Sequence, residues 1–400
     1  MDFNAYQIAL SSAARGAECP FPPGEFESRL ARVRAGMARD DISALLLTDP
    51  SDIFYLTGYS TFEVSVHVAL VVTPASLLLQ VPSIEMGPAM VTTRVERVVG
   101  YRWEGIGEVL EPLVEVLSGF EERVGVDFWH GSLRHGVIEG VRTRLPDIRF
   151  VDSALLLKRV RIVKSAAELA CLRRSAHITG LGLKAAVAAV RHGVTDNEIA
   201  AVGAEALLAA GSEFMSMQPI VTVGHRSSII HTNHKRFAIE PGDPVFLEFG
   251  AAWKRYTAPM MQTVVAGVPT RAMQRVFDGC RRVVETLLEA VEPDVSFDAA
   301  ARAAERALAP LAGEVFFSGV FGYTVGAQFP PSWVEGSGFI ARGQSSRFQS
   351  GMVFHLPLCL RIPGQWGIGC SETLLVTDTG AEVLTTNPWS LAQSSLSSVR

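Results

Sequence analysis

The chain has 400 residues, 48% hydrophobic and 19% charged, with a mean hydropathy of +0.24. That is enough apolar side chain for a large buried core, which excludes a disordered polymer, and the length favours two or three domains. Lys+Arg 36 against Asp+Glu 41 gives a net charge of −5 without a basic run; no nucleic-acid partner is expected. The longest apolar runs, 68–72 and 185–190, fall far short of the ~20 residues of a membrane span. The N-terminus has no basic start followed by an apolar stretch, so no secretory signal is expected. Five cysteines without a C-x-x-C pair fit reduced thiols and a cytoplasmic location.

In chain order, residues 1–24 read as a loose leader that ends in Cys19-Pro20-Phe21-Pro22-Pro23-Gly24. Phe26, Leu30, Val33 and Met37 recur every three or four residues, the stripe of an amphipathic helix. The apolar run 42–47 predicts a buried strand, followed by the cap-forming turn Thr48-Asp49-Pro50-Ser51-Asp52. Strands are expected at 69–73, 77–81 and 123–127, with helices between the later ones. Helix–strand alternation of this kind marks an α/β layer. After a connecting element at 154–161, a long helix is predicted over 164–190. The next follows Thr195, which stands three residues before Glu198 in capping-box spacing. Strands at 219–223, 244–249 and 263–265 precede helices at 272–290 and 298–311. The last third is strand and loop, with strands at 351–360 and 373–377, and the Ser-rich tail 391–400 is expected to be mobile. No fixed-period repeat, nucleotide-binding glycine loop or G-x-S-x-G elbow is present.

Several segments fall in a recognisable order. His231 stands twelve residues before Asp243; Glu248-Phe249-Gly250-Ala251 follows, then Tyr256-Thr257-Ala258-Pro259, Phe321-Gly322-Tyr323, Gly351-Met352-Val353-Phe354 and Ser371-Glu372-Thr373. This order resembles the superfamily of creatinase, prolidase and methionine aminopeptidase. Glu25-Phe26-x-x-Arg29-Leu30 and Asp49–Tyr59 resemble the N-terminal domain of its creatinase and prolidase branch. The resemblance spans about 22–388. It implies an α/β (α+β) chain: a creatinase-like N-terminal α/β domain over 25–158, then a pita-bread catalytic domain over 159–390.

The metallopeptidases of that superfamily hold two metal ions through Asp, Asp, His, Glu and Glu. Carried over by motif, these positions are Glu248, Pro259, Tyr323, Pro357 and Ser371 here. Proline offers no side-chain donor, and one carboxylate does not make a di-metal centre. No metal and no cofactor are therefore expected. The resemblance points instead to the metal-free branch of creatinase and ectoine hydrolase, with the better match to ectoine hydrolase at Glu248, Tyr256–Pro259, Phe354-His355, Pro330–Glu335 and Ser371–Thr373. The creatinase carboxylates do not both carry over, since Met261 and Ser371 hold their positions.

That branch implies hydrolysis of a C–N bond in a small nitrogenous compound. A neutral histidine suits proton transfer near neutrality, and a carboxylate suits binding a planar cation or attacking its carbon. His231 is the expected general base and acid, Glu248 its partner or the nucleophile, with Tyr323 donating a hydrogen bond and Glu372 orienting. A charge inside Val245-Phe246-Leu247-Glu248-Phe249 needs a partner or a function. Phe62, His67, Trp333, Glu335 and His355 are the candidate substrate-binding residues. The resemblance also implies a homodimer in which the N-terminal domain completes the partner's site. A lyase-type or biosynthetic reaction, and a metallo-aminopeptidase or prolidase homologue with a degraded site that acts as a binding module, stay open at this stage.

Overall fold

The computed structural model describes residues 3–120 and 123–394. They divide into two compact units, 1–161 and 162–400.

The first unit runs α1 (Phe3–Ala14), α2 (Pro23–Arg39), β1 (Ala44–Leu47), α3 (Pro50–Thr57), β2 (Ala69–Val72), β3 (Leu77–Pro82), α4 (Met86–Thr92), β4 (Arg97–Tyr101), α5 (Leu110–Leu117), β5 (Arg123–Val126), α6 (His135–Arg144), β6 (Arg149–Asp152) and α7 (Ala154–Arg161). Its six strands form one mixed sheet in the order β4-β3-β2-β1-β5-β6. Successive strand residues point to opposite faces, and here both faces are buried. Leu45, Leu47, Leu70 and Val72 pack into one apolar cluster, whereas Ala44, Leu46, Ala69 and Val71 pack into the other. Helices cover both sides, which is why the strands read as unbroken apolar runs. The cap expected at 48–52 is formed: Asp49 accepts from the Ser51 N–H at 2.8 Å and Gly58 closes the helix at φ +81. Residues 1–24 are not a loose leader where described. Phe3–Ala14 is helical, and the backbone of Gly16 and Glu18 bonds to Met90 and Val91. Among the described residues, no helix is long and apolar enough to cross a membrane.

The second unit begins with α8 (Ala166–Ala189) and α9 (Asp196–Ala209), each opened by a complete capping box, Ser165/Glu168 and Thr195/Glu198. Then come β7 (Ile220–Val223), β8 (Pro244–Phe249), β9 (Ala252–Trp253), β10 (Tyr256–Thr257) and β11 (Met260–Ala266). The same plan recurs with α10 (Arg271–Ala290) and α11 (Phe297–Leu308). They lead to β12 (Gly322–Val325), β13 (Val334–Ile340), β14 (Val353–His355), β15 (Leu358–Ile362), β16 (Trp366–Cys370), β17 (Thr373–Thr377) and β18 (Gly380–Val383), with β19 (Ala392–Ser394) last. One sheet has the order β19-β11-β8-β7 and the other β13-β12-β14-β17-β18, while β15 and β16 form a hairpin. Residues 392–394 of the expected mobile tail pair with β11; 395–400 lie outside the described residues.

This doubled helix-pair-plus-sheet plan sets the chemistry. On β8, Leu247 and Phe249 point to the helices α8 and α9 and enter their core. Phe246 points the other way, against Met261 and Cys359. Glu248 shares the face of Phe246 by alternation.

Candidate active site

Glu248 sits directly opposite Ile220 on β7 and Met261 on β11. Its residue is 8% exposed, and no hydrogen bond to its carboxyl group is formed among the described residues. Burial pushes the carboxyl up to about 7, against a smaller opposing pull from the Arg361 guanidinium. An isolated carboxylate in such a place pays desolvation without compensation, so the group is half protonated near neutrality.

The second sheet brings His355 against it. On β14, His355 pairs with Tyr323 and Thr373 across neighbouring strands. Its Nε2 lies 3.9 Å from Glu248 Oε1 and is buried without a hydrogen-bond partner. Desolvation lowers the imidazole to about 3, so it is neutral at any physiological pH. Its tautomer follows from its neighbours. Thr373 Oγ1 donates to the Pro259 carbonyl at 2.7 Å and lies 3.3 Å from His355 Nδ1. With its proton committed, the hydroxyl accepts; Nδ1 therefore carries the hydrogen and Nε2 presents a lone pair beside Glu248.

Tyr323 completes the group. Its ring centroid is 5.3 Å from that of His355. Its hydroxyl accepts from Trp333 Nε1 at 2.9 Å, which leaves its own proton to donate. Burial and the nearby Glu248 charge hold the phenol well above its usual value. Trp333 is 1% exposed and packs over Gly250, where an added Cβ would stand 2.9 Å from the ring. Trp333, a substrate-binding candidate in the sequence, is a buried support for Tyr323.

The other sequence candidates lie elsewhere. His231 is exposed, in the left-handed region at φ 54, on a loop tethered by Asn233, which bonds Val221 N at 2.9 Å and the Pro219 carbonyl at 3.1 Å. No ion pair or hydrogen bond joins it to Glu248 among the described residues; the imidazole beside Glu248 belongs to His355. Glu372 is buried but faces the opposite way from Ser371, as strand alternation demands. Its carboxylate takes the Thr385 hydroxyl and, at 2.9 Å, the Asn387 N–H. Burial still pushes it up to about 7. Glu335 is not open to a substrate: it pairs with Lys164 at 2.6 Å, with side chains 0% and 2% exposed. In the first unit, Phe62 is 80% exposed, whereas His67 is a core residue. Desolvation lowers His67 to about 4, and its Nε2 meets Gln80 at 3.3 Å.

Arg361 was missed in the sequence. On β15 it follows Cys359 by two residues, so both face Glu248, and its Nε is buried without a partner. An arginine within Leu358-Cys359-Leu360-Arg361-Ile362 is the same signal as the glutamate within β8, and it was there to be read.

The five positions that hold two metals in the resembling peptidases do not fit them here. Pro259 offers no side-chain donor, only a carbonyl that meets Thr373 and His355, and Ser371 Oγ accepts from Met261 N at 2.7 Å. Met261 lies across from Glu248. Among the described residues, no cluster of three or more His, Cys, Asp or Glu side chains stands in metal-binding proximity.

Comparison with known proteins agrees with the fold. The model of metallopeptidase family M24 matches residues 170–378, and that of the creatinase/prolidase N-terminal domain matches 29–163. An uncharacterised hydrolase/peptidase of Sinorhizobium fredii is 28% identical over 92% of this chain and 97% of its own length. An ectoine hydrolase of Halomonas elongata is 25% identical over 92% and 97%. The solved prolidase of Pyrococcus horikoshii superposes with a TM-score of 0.78 at 22% identity, covering 91% of this chain and 99% of that one.

Proposed function

From the premise that the chain belongs to metallopeptidase family M24, with a creatinase/prolidase-type domain ahead of the catalytic one, we propose that it is a metal-independent hydrolase. Its substrate in this reading is a small nitrogenous cation of the amidinium or guanidinium type, and the bond cut is a non-peptide C–N bond, as in ectoine hydrolase. The observation that carries the reading is Glu248: a buried carboxyl pushed up to about 7, beside an orphaned imidazole nitrogen, where a di-metal centre has lost its ligands. A planar cation arriving there restores the ionised carboxylate by charge-assisted hydrogen bonds.

In this mechanism a water held between His355 Nε2 and Glu248 adds to the central carbon. Its proton passes to the Glu248 carboxylate as the C–O bond forms. Glu248 then returns that proton to the departing nitrogen. As the C–N bond breaks and the C=O bond forms, the adduct's hydroxyl proton passes through Glu248 to the freed amine, leaving a neutral amide (a urea from a guanidinium), an ammonium and an ionised Glu248. The Tyr323 hydroxyl donates to the developing charge. His231, on its tethered loop, serves as a further proton carrier at the solvent side. The active form is a homodimer, with the exposed Phe62 offered to the partner's site.

The similarity to prolidase favours a second reading, metal-dependent dipeptide cleavage. A ¹H NMR time course with ectoine, creatine and an Xaa-Pro dipeptide, each with and without EDTA, separates the two. EDTA-resistant ring opening or guanidine cleavage supports the proposal. Dipeptide cleavage abolished by EDTA overturns it.

A further inference from the structure

Behind the catalytic sheet lies a cavity of about 520 Å³ that the proposed reaction does not use. Its floor is Met260 and Gln262 of β11. These residues flank Met261, so they face away from Glu248 by strand alternation. One wall is α8, which contributes Arg173, His177 and Lys184. The opposite wall is the segment 384–388.

The pocket is open to solvent along α8, where Arg173, His177, Leu181 and Lys184 are exposed, and two features give it its character. The first is charge. Beyond Glu168 in its first turn, α8 carries no acidic residue, so its outer face lacks the i,i+4 acid–base pairs that usually neutralise a helix surface. Arg173 is committed to Glu382, at 2.8 Å from Nη2 to Oε2, which holds that carboxylate below its usual range. His177 and Lys184 have no side-chain partner among the described residues, and no carboxylate lines the cavity. The second feature is the 384–388 wall, whose residues alternate. Leu384, Thr386 and Pro388 line the cavity. Thr385 and Asn387 point the other way, to the Glu372 carboxylate and to the Met261 carbonyl, the latter at 2.9 Å. A chain pinned on one side by a buried acid presents a fixed surface on the other.

We infer that this cavity is a second small-molecule site, which takes an organic carboxylate with a short apolar body. The ammonium of Lys184 and the imidazole of His177 meet the carboxylate, Gln262 and Thr386 supply hydrogen bonds, and Leu181, Met260 and Leu384 receive the apolar part.

Gly180 gives a clean occlusion variant. It lines the cavity, and a Cβ added there meets nothing within 4 Å. Gly180→Phe therefore has room for its Cβ, places a ring at the cavity and improves helix propensity. The experiment is calorimetric titration of the full chain with hexanoate, and with hexylamine as the charge control. Hexanoate is expected to bind saturably and hexylamine not. Lys184→Ala is expected to weaken hexanoate by about tenfold, and Gly180→Phe to abolish binding with the thermal midpoint retained. Glu248→Gln is expected to leave the affinity unchanged. The inference is overturned if hexanoate does not bind the wild type, or if hexylamine binds equally well. Gly180→Phe or Lys184→Ala binding like the wild type overturns it too. Loss of binding in Glu248→Gln would assign the probe to the catalytic site and equally overturn it.

Discussion

Replacing Glu248 by glutamine separates what the residue does for activity from what it does to stability, and the two effects have opposite signs. In the unfolded chain this carboxyl titrates at its ordinary 4.5, and in the folded protein at about 7. A group whose folded value is raised contributes stability that is fully present below 4.5 and is lost as the pH climbs through 7. The difference in proton affinity amounts to roughly 3 kcal/mol. Wild-type protein at pH 8 thus holds a desolvated carboxylate at that cost, while at pH 4.5 it holds most of the neutral form. Glutamine is neutral at both and matches the protonated acid in shape. Glu248→Gln is therefore expected to gain on wild type by roughly 3 kcal/mol at pH 8 and by little at pH 4.5. For a catalytic unit of this size that is about 6–12 °C in Tm at the higher pH. The contribution of Glu372, raised by the same cause, is common to both proteins and cancels. Urea and thermal unfolding followed by circular dichroism at the two pH values provide the comparison. A stability gap that is flat with pH, or a variant weaker than wild type at pH 8, would refute the account of Glu248 as a buried, uncompensated carboxyl.

In the proposed hydrolysis the same variant should lose 10²–10⁴ in kcat, and wild-type kcat/KM should rise with pH through about 7 as Glu248 ionises; a flat pH–rate profile from 5 to 9 counts against it. His355→Ala should lower kcat by a comparable factor because it removes the group that holds the water, and His231→Ala, made in parallel, tells whether the solvent-side imidazole carries protons; wild-type turnover in both removes histidine from the mechanism. Tyr323→Phe leaves the Trp333 N–H buried and unpaired, at a cost of about 1–3 kcal/mol in urea unfolding, and an unchanged midpoint would show that the hydrogen bond at 2.9 Å is not made in solution. Breaking the Lys164–Glu335 pair with Glu335→Leu should cost about 3–5 kcal/mol, because it strands a buried ammonium, and the double change Lys164→Met with Glu335→Leu should recover most of it. If the double variant is no better than the single one, the pair is not the reason for the loss.

The fold was legible because its signals are local and repeated. The Thr195 capping box and the Asp49 cap act within four residues, and both formed as read; the Ser165 box is a signal of the same kind that the structure adds. The apolar runs of the first sheet were legible as strands because both of its faces are covered. The leader was misread because its helix is held by contacts far along the chain, such as Gly16 to Met90, which no nearby pattern announces.

The site was legible by half, for a physical reason. A residue type out of place in an apolar strand can be seen in the sequence, and Glu248 was. What cannot be seen is which partners the second sheet brings across. Spacing singled out His231 because it stands twelve residues before Asp243, as in the resembling family. Register between β12, β14 and β17 decided that His355, 107 positions beyond Glu248, supplies the adjacent imidazole. The same register turned Glu372 to the far side and left Ser371 near Met261. Motif spacing along one strand fixes direction, but the meeting of two sheets fixes chemistry. A proton-transfer pair in a fold of this kind is therefore better sought among charged or imidazole residues embedded in apolar strands of both halves. Glu248, His355 and Arg361 share that property, and His231 does not.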